Sequence, residues 1–148
     1  MEEVFLSKNA EETKRFAEEF AQKLKGEHVV LLYGNLGAGK TTFVQGLAKG
    51  LGIQKRIISP TFIILRSYDL QRKTKNVKFK TLYHTDLYRL QSEKEVEALG
   101  LVEIMENPDG IIVIEWPERL GLLMSKSGWK ISFETTGENE RKITAKKS

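Results

Sequence analysis

Hydrophobic and polar positions alternate along this chain in two periods, and the changes between them mark out its elements. Val4 to Ser7 reads as a short strand. Asn9, with Glu12 three residues later, has the spacing of a helix-capping box, and Phe16, Ala17, Phe20, Ala21 and Leu24 follow at helical intervals, with Gly26 as the stop. His28 to Tyr33 is an apolar run short enough for a buried strand, and a second helical stretch extends to about Lys49 before Gly50 and Gly52. Thr61 to Leu70 and Val77 to Asp86 are strand-like runs joined by a polar turn, which predicts an antiparallel hairpin. Ser92 with Glu95 opens a short helix, and Val102 to Glu106 forms a further helical turn. Asn107-Pro108-Asp109-Gly110 is a turn, Ile111 to Glu115 a strand apolar on both faces, and Pro117 opens a helical turn. Trp129 to Glu134 and Lys142 to Ala145 read as closing strands.

Strand–loop–helix units mixed with a hairpin predict an α/β fold with a mixed sheet flanked by helices. No internal repeat, low-complexity stretch or linker interrupts the 148 residues, so the expectation is a single domain over 1–148.

The junction between the second strand and the second helix carries the chemistry. Gly34-Asn35-Leu36-Gly37-Ala38-Gly39-Lys40-Thr41-Thr42 is G-x-x-x-x-G-K-T in the strand–helix setting that a phosphate-cradling loop requires. Glycines let successive N–H groups converge on phosphate oxygens, and the helix that opens near Lys40 adds the positive end of its dipole. Lys40 is placed to reach the β- and γ-phosphates, and the Thr41 hydroxyl to complete a Mg²⁺ shell. The pattern implies a nucleoside triphosphate ligand. No N-K-x-D element for guanine occurs, so ATP is the expected nucleotide.

Two carboxylates stand at predicted strand ends. Ile111-Ile112-Val113-Ile114-Glu115 is a run of β-formers closed by an acid, the Walker B pattern, and it lands beside Thr41 if the two strands are neighbours. Asp86, in His84-Thr85-Asp86-Leu87-Tyr88-Arg89, is a second candidate for the Mg²⁺ shell, directly or through water. Lys40, Asp86 and Glu115 are thus the candidate catalytic residues, and Thr41, Glu115 and Asp86 the candidate metal ligands. Trp116 packs near the nucleotide or caps the core. Thr61, in Ser59-Pro60-Thr61-Phe62, either senses a γ-phosphate or belongs to the turn into the next strand. His84 reads as structural, since two histidines in the chain make a histidine metal site improbable.

Charge changes the picture little. The formal net charge is +4, but Arg72, Lys73, Lys75, Lys78 and Lys80 crowd the hairpin without an acid, and Arg141, Lys142, Lys146 and Lys147 the tail. Such residues solubilise an exposed sheet edge or form a phosphate-backbone footprint. Cysteine is absent, which excludes disulfides and thiolate metal sites and is consistent with a cytoplasmic location. The first residues lack the apolar core of a signal peptide, and no run approaches the roughly 20 apolar residues of a membrane helix.

Together, GNLGAGKTTF at 34–43, SPTF at 59–62, HTDLYRL at 84–90 and IEWPERL at 114–120 resemble the TsaE family, the small P-loop ATPases of bacterial threonylcarbamoyladenosine tRNA modification. The similarity spans about residues 1–145. It implies a P-loop NTPase-like three-layer sandwich with a mixed, largely parallel central sheet and an antiparallel hairpin. It also implies ATP and Mg²⁺ binding, slow hydrolysis, and work in a complex with TsaD and TsaB, with tRNA met through that complex. On this resemblance Gly34 to Thr42 is the phosphate loop, Thr41 a magnesium ligand, Glu115 the Walker B acid and Asp86 a hydrolysis-linked acid. The region of Asn9 and Thr13 borders the adenine or ribose, and Arg141 approaches the nucleotide. From a different class, a small-molecule P-loop kinase is the alternative, although no lid-length insertion is present.

Overall fold

A computed structural model describes residues 2–57, 65–70, 79–124 and 128–148. Its seven strands are β1 (Glu2–Ser7), β2 (Val29–Tyr33), β3 (Leu65–Asp69), β4 (Thr81–Asp86), β5 (Gly110–Glu115), β6 (Trp129–Thr135) and β7 (Arg141–Lys147). The helices are α1 (Ala10–Ala21), α2 (Lys40–Gly50), α3 (Glu93–Ala98) and α4 (Leu101–Glu106), with a 3₁₀ segment at Pro117–Leu123. The strands form one sheet in the order β1-β7-β6-β2-β5-β4-β3. Its four central strands run parallel, and β3 and the β7–β1 pair flank them antiparallel.

Period two sorts the central strands onto two faces. Val30, Leu32, Leu82, Ile111 and Val113 pack into the core beneath α1 and α2. Val29, Leu31, Ile112 and Ile114 point the other way, into a core shared with Val96, Leu101 and Leu120 of α3, α4 and the 3₁₀ segment. Helices on both sides explain why β5 is apolar throughout, with all six residues buried.

Local signals account for the boundaries. The Asn9 side chain accepts from the Glu12 N–H at 2.9 Å, and Glu12 reaches back to the Lys8 N–H at 2.8 Å. The predicted face of α1, Phe16, Ala17, Phe20 and Ala21, is the buried one. The helix stops five residues before Gly26, because i→i−3 bonds from Gln22, Lys23 and Leu24 tighten the final turn while Leu24 stays buried. The Ser92 cap on Glu95 and the Asn107 turn form as the sequence implies. Of the predicted hairpin, Leu65–Asp69 pairs antiparallel with Thr81–Asp86, while its tip with Arg72, Lys73, Lys75 and Lys78 lies outside the described residues. Lys142, Lys146 and Lys147 sit on β7, paired on both sides.

Helix α2 lies unusually close to α1. A Cβ on Gly46 would stand 2.3 Å from the Lys14 carbonyl oxygen and 2.8 Å from the Ala17 Cβ. That approach seats α2 against the sheet and so fixes where its first turn, next to the glycine loop, begins.

Candidate nucleotide site

Register places the chemistry. Strands β2, β5 and β4 are parallel neighbours, with Leu32 opposite Glu115 and Glu115 opposite Asp86. The glycine loop leaves β2 one residue beyond Tyr33, so loop and carboxylates gather at the carboxyl ends of adjacent strands, where open α/β sheets bind ligands. Glu115 shares its face with Ile111 and Val113, and Asp86 its face with Leu82, which is the side on which α2 begins.

The loop itself needs glycine. Gly37 and Gly39 have φ of 77° and 99°, in the left-handed region that side chains disfavour. Ala38 closes a turn onto the Asn35 carbonyl at 3.1 Å, with its side chain buried. Gly39 is the N-cap of α2 and supplies no capping side chain, unlike Asn9 on α1 and Ser92 on α3. The first N–H groups of α2 therefore face outward for an anion.

A cleft of about 420 Å³ opens above the loop. Leu36, Gly37, Gly39, Lys40, Thr41 and Thr42 line one side, and Asp86, Tyr88, Arg89, Glu115 and Trp116 the other. Gly34, Asn35 and Ala38 do not line the cleft. A larger groove of about 740 Å³ runs between α1 and the end of α2, but neither the loop nor the two carboxylates reach it.

Electrostatics in the cleft are tense. Burial pushes the Lys40 ammonium below its ordinary pKa, opposed by the nearby carboxylates of Glu115, Asp86 and Glu118. Its Nζ donates to the Gly34 carbonyl and lies 4.4 Å from the centroid of the Trp116 ring. Burial raises the Asp86 carboxyl, as does Glu115, whereas the Tyr88 N–H bonded to it at 3.0 Å and the charges of Lys40 and His84 oppose the rise.

Two features escaped the sequence reading. His84 is fully buried, and its Nε2 meets Glu115 Oε2 at 2.6 Å. The i, i+2 spacing of His84 and Asp86 is the signal that puts them on one face of a strand. The Tyr88 ring lies 4.9 Å from that of Trp116 and tilted 48° to it, a contact with no local sequence signature.

On the opposite flank of the loop, Asn9, Thr13 and Arg141 border a cavity of about 130 Å³ together with Gly37, Gly39 and Thr42. Arg141 is occupied with backbone: Nη2 donates to the Gly37 carbonyl at 3.1 Å and Nη1 to that of Glu140 at 2.8 Å. Thr61 lies outside the described residues.

Among the described residues, no group of three or more His, Asp or Glu is placed to hold a metal unaided. Thr41, Asp86 and Glu115 are instead hard oxygen donors around one cleft, a set suited to a cation that takes its remaining ligands from phosphate and water.

Known proteins resemble this chain over most of its length. The family described as "Threonylcarbamoyl adenosine biosynthesis protein TsaE" matches residues 7–143. The chain belongs to the TsaE family. Relatives bearing the name tRNA threonylcarbamoyladenosine biosynthesis protein TsaE include that of Rickettsia felis, 42% identical over 90% of this chain and 73% of the relative. Another, from Bacillus subtilis, is 39% identical over 92% of this chain and 80% of its own. The Treponema pallidum TsaE is 39% identical over 94% of this chain and 96% of its own. A crystal structure of Bacillus subtilis YdiB superposes with a TM-score of 0.76 at 32% identity, covering 98% of this chain and 84% of that one. The fold is accordingly that of the TsaE family, a P-loop NTPase-like three-layer sandwich. Among the described residues no helix is long and apolar enough to cross a membrane.

Proposed function

We propose that this chain binds ATP with Mg²⁺, hydrolyses it slowly, and serves as the regulatory ATPase of a cytoplasmic tRNA threonylcarbamoyladenosine-forming complex with TsaD and TsaB. The observation that carries the reading is the convergence of Lys40, Thr41, Asp86 and Glu115 on one cleft beside an uncapped helix start. The names of the relatives supply the pathway.

The loop N–H groups and the first turn of α2 bind the phosphates, and Lys40 leaves Gly34 to neutralise their outer oxygens. Thr41, Glu115 and Asp86 would hold Mg²⁺, which supplies charge neutralisation on the phosphates. Glu115, buried and engaged by His84, suits the metal role. Asp86 is less buried, and its raised pKa suits it to orient a water and accept its proton. Asn9, Thr13 and Arg141, beside Gly37, Gly39 and Thr42, border the side of the loop on which the nucleoside would lie.

The test is tRNA modification by purified TsaD and TsaB with and without this chain. Sustained multiple turnover only in its presence supports the reading, and equal turnover without it overturns the reading. Pull-down with TsaD and TsaB in ATP versus ADP reports the nucleotide dependence. Phosphate transfer to a metabolite faster than hydrolysis would make the chain a small-molecule kinase instead.

A further inference from the structure

His84 is a buried ionisable side chain that the proposed chemistry leaves without a task of its own. It is fully buried on β4, while its target Glu115 is 3% exposed. Their 2.6 Å contact joins two side chains on the α2 side of the sheet, where parallel pairing sets His84 opposite Val113 and Asp86 opposite Glu115. The imidazole thus reaches forward along β4 to the end of β5. A histidine so placed carries its hydrogen on Nε2, the atom facing the carboxylate, and its Nδ1 has no partner among the described residues.

The Glu115 backbone is pinned as well. Its carbonyl accepts from the Leu87 N–H at 3.0 Å, and Trp116 follows in a left-handed conformation. With the backbone fixed and Oε2 taken, one oxygen remains for the cleft. Lys40 is a cation of the same cleft, and Glu115 acts on its ammonium through space. Even so, the Lys40 hydrogen bond goes to the Gly34 carbonyl rather than to that carboxylate. A direct Lys40–Glu115 pair would occupy both groups that a nucleotide needs.

We propose that His84 is a positioning residue that holds the Glu115 carboxylate against β4, keeping Lys40 free of it and available to phosphate. This rests on the nucleotide-binding reading above. Glu115 held by a neighbouring imidazole keeps a fixed orientation, as outer-shell partners do for ligating groups. Without the imidazole, Glu115 swings to Lys40 and the ion pair competes with ATP.

The experiment measures ATP affinity of the full chain in EDTA, where no metal contributes. His84→Leu should weaken binding at least about fivefold, the effect of an ion pair in a partly buried site. His84→Gln retains an N–H donor and should stay within about twofold of the parent. In His84→Leu/Glu115→Gln the competing charge is gone, so affinity should return to that of Glu115→Gln alone. A general folding defect would not be repaired by a second substitution. If the Leu variant fails to fold, His84→Asn, with an amide too short to bridge the gap, must show the same loss and the same rescue. Unchanged affinity in the Leu or Asn variant, loss in the Gln variant, or no rescue by Glu115→Gln overturns the inference. Absence of ATP binding by the parent chain removes the proposed function itself, whereas an unaffected variant beside a binding parent removes only the role of His84.

Discussion

The Lys40 ammonium sits 4.4 Å from the centroid of the Trp116 indole, so the lysine of the glycine loop and the aromatic that follows the β5 carboxylate are in direct contact. Trp116 is the non-glycine residue with positive φ among the described residues, at φ 57° and ψ 52°. Its ring meets the tilted ring of Tyr88 on the same rim of the cleft. The contact links occupancy of the phosphate site to an aromatic reporter.

Nucleotide that draws Lys40 off the ring should therefore change the Trp116 emission. We expect a saturable fluorescence change on titration with ATP, lost in Trp116→Phe. Trp129, 4% exposed and edge-on to Phe20, should stay silent. The Phe variant should keep ATP affinity within about tenfold, because an aromatic face remains for the cation.

Lys40→Met should separate stability from binding. Burial already disfavours the ammonium in the folded chain, so its removal should leave the melting temperature equal or higher. ATP affinity should fall by at least about 100-fold, since backbone amides alone would face several phosphate charges. Calorimetric melting and isothermal titration report the two effects separately.

Asp86→Asn should behave similarly, with a pH signature. The folded pKa of Asp86 lies above its ordinary value, chiefly through burial, so the folded state holds this proton more tightly than the unfolded state. Its contribution to stability is therefore lost as pH rises from the ordinary aspartate range through the raised folded value. Melting of the apoprotein should show Asn stabilising relative to Asp at neutral pH, with the gap closing towards acid. Hydrolysis should fall by about 100-fold or more, the scale of a lost general base.

Gly46→Ala tests the seam between α1 and α2. A methyl group there would meet the Lys14 carbonyl at 2.3 Å, and backbone cannot yield as a flexible side chain can. We expect a loss of about 1–3 kcal/mol in denaturant unfolding despite the higher helix propensity of alanine. Displacement of the α2 start should also weaken ATP binding, which distinguishes the change from a remote packing defect.

Much of this molecule is legible along the chain because the signals are local. The Asn9 and Ser92 caps, the face of α1 and the Asn107 turn depend on residues within four positions of one another. The glycine loop is equally local, since its φ values and its uncapped helix start follow from Gly37, Gly39 and their neighbours. The end of α1 was less legible: Gly26 looks like the stop, but tertiary burial of Leu24 and tightened final bonds end the helix sooner.

By itself, then, the sequence determined that a glycine-rich loop of the G-x-x-x-x-G-K-T pattern joins a strand to a helix, and that acids close two further strands. Only the tertiary structure decided that those strands flank one another, with Leu32 opposite Glu115 and Glu115 opposite Asp86. It alone brought His84 onto Glu115 and Trp116 under Lys40. The reason is physical. Capping and turn formation act between near neighbours, whereas strand order and buried charge pairs arise when segments tens of residues apart compete for one hydrophobic core and one sheet.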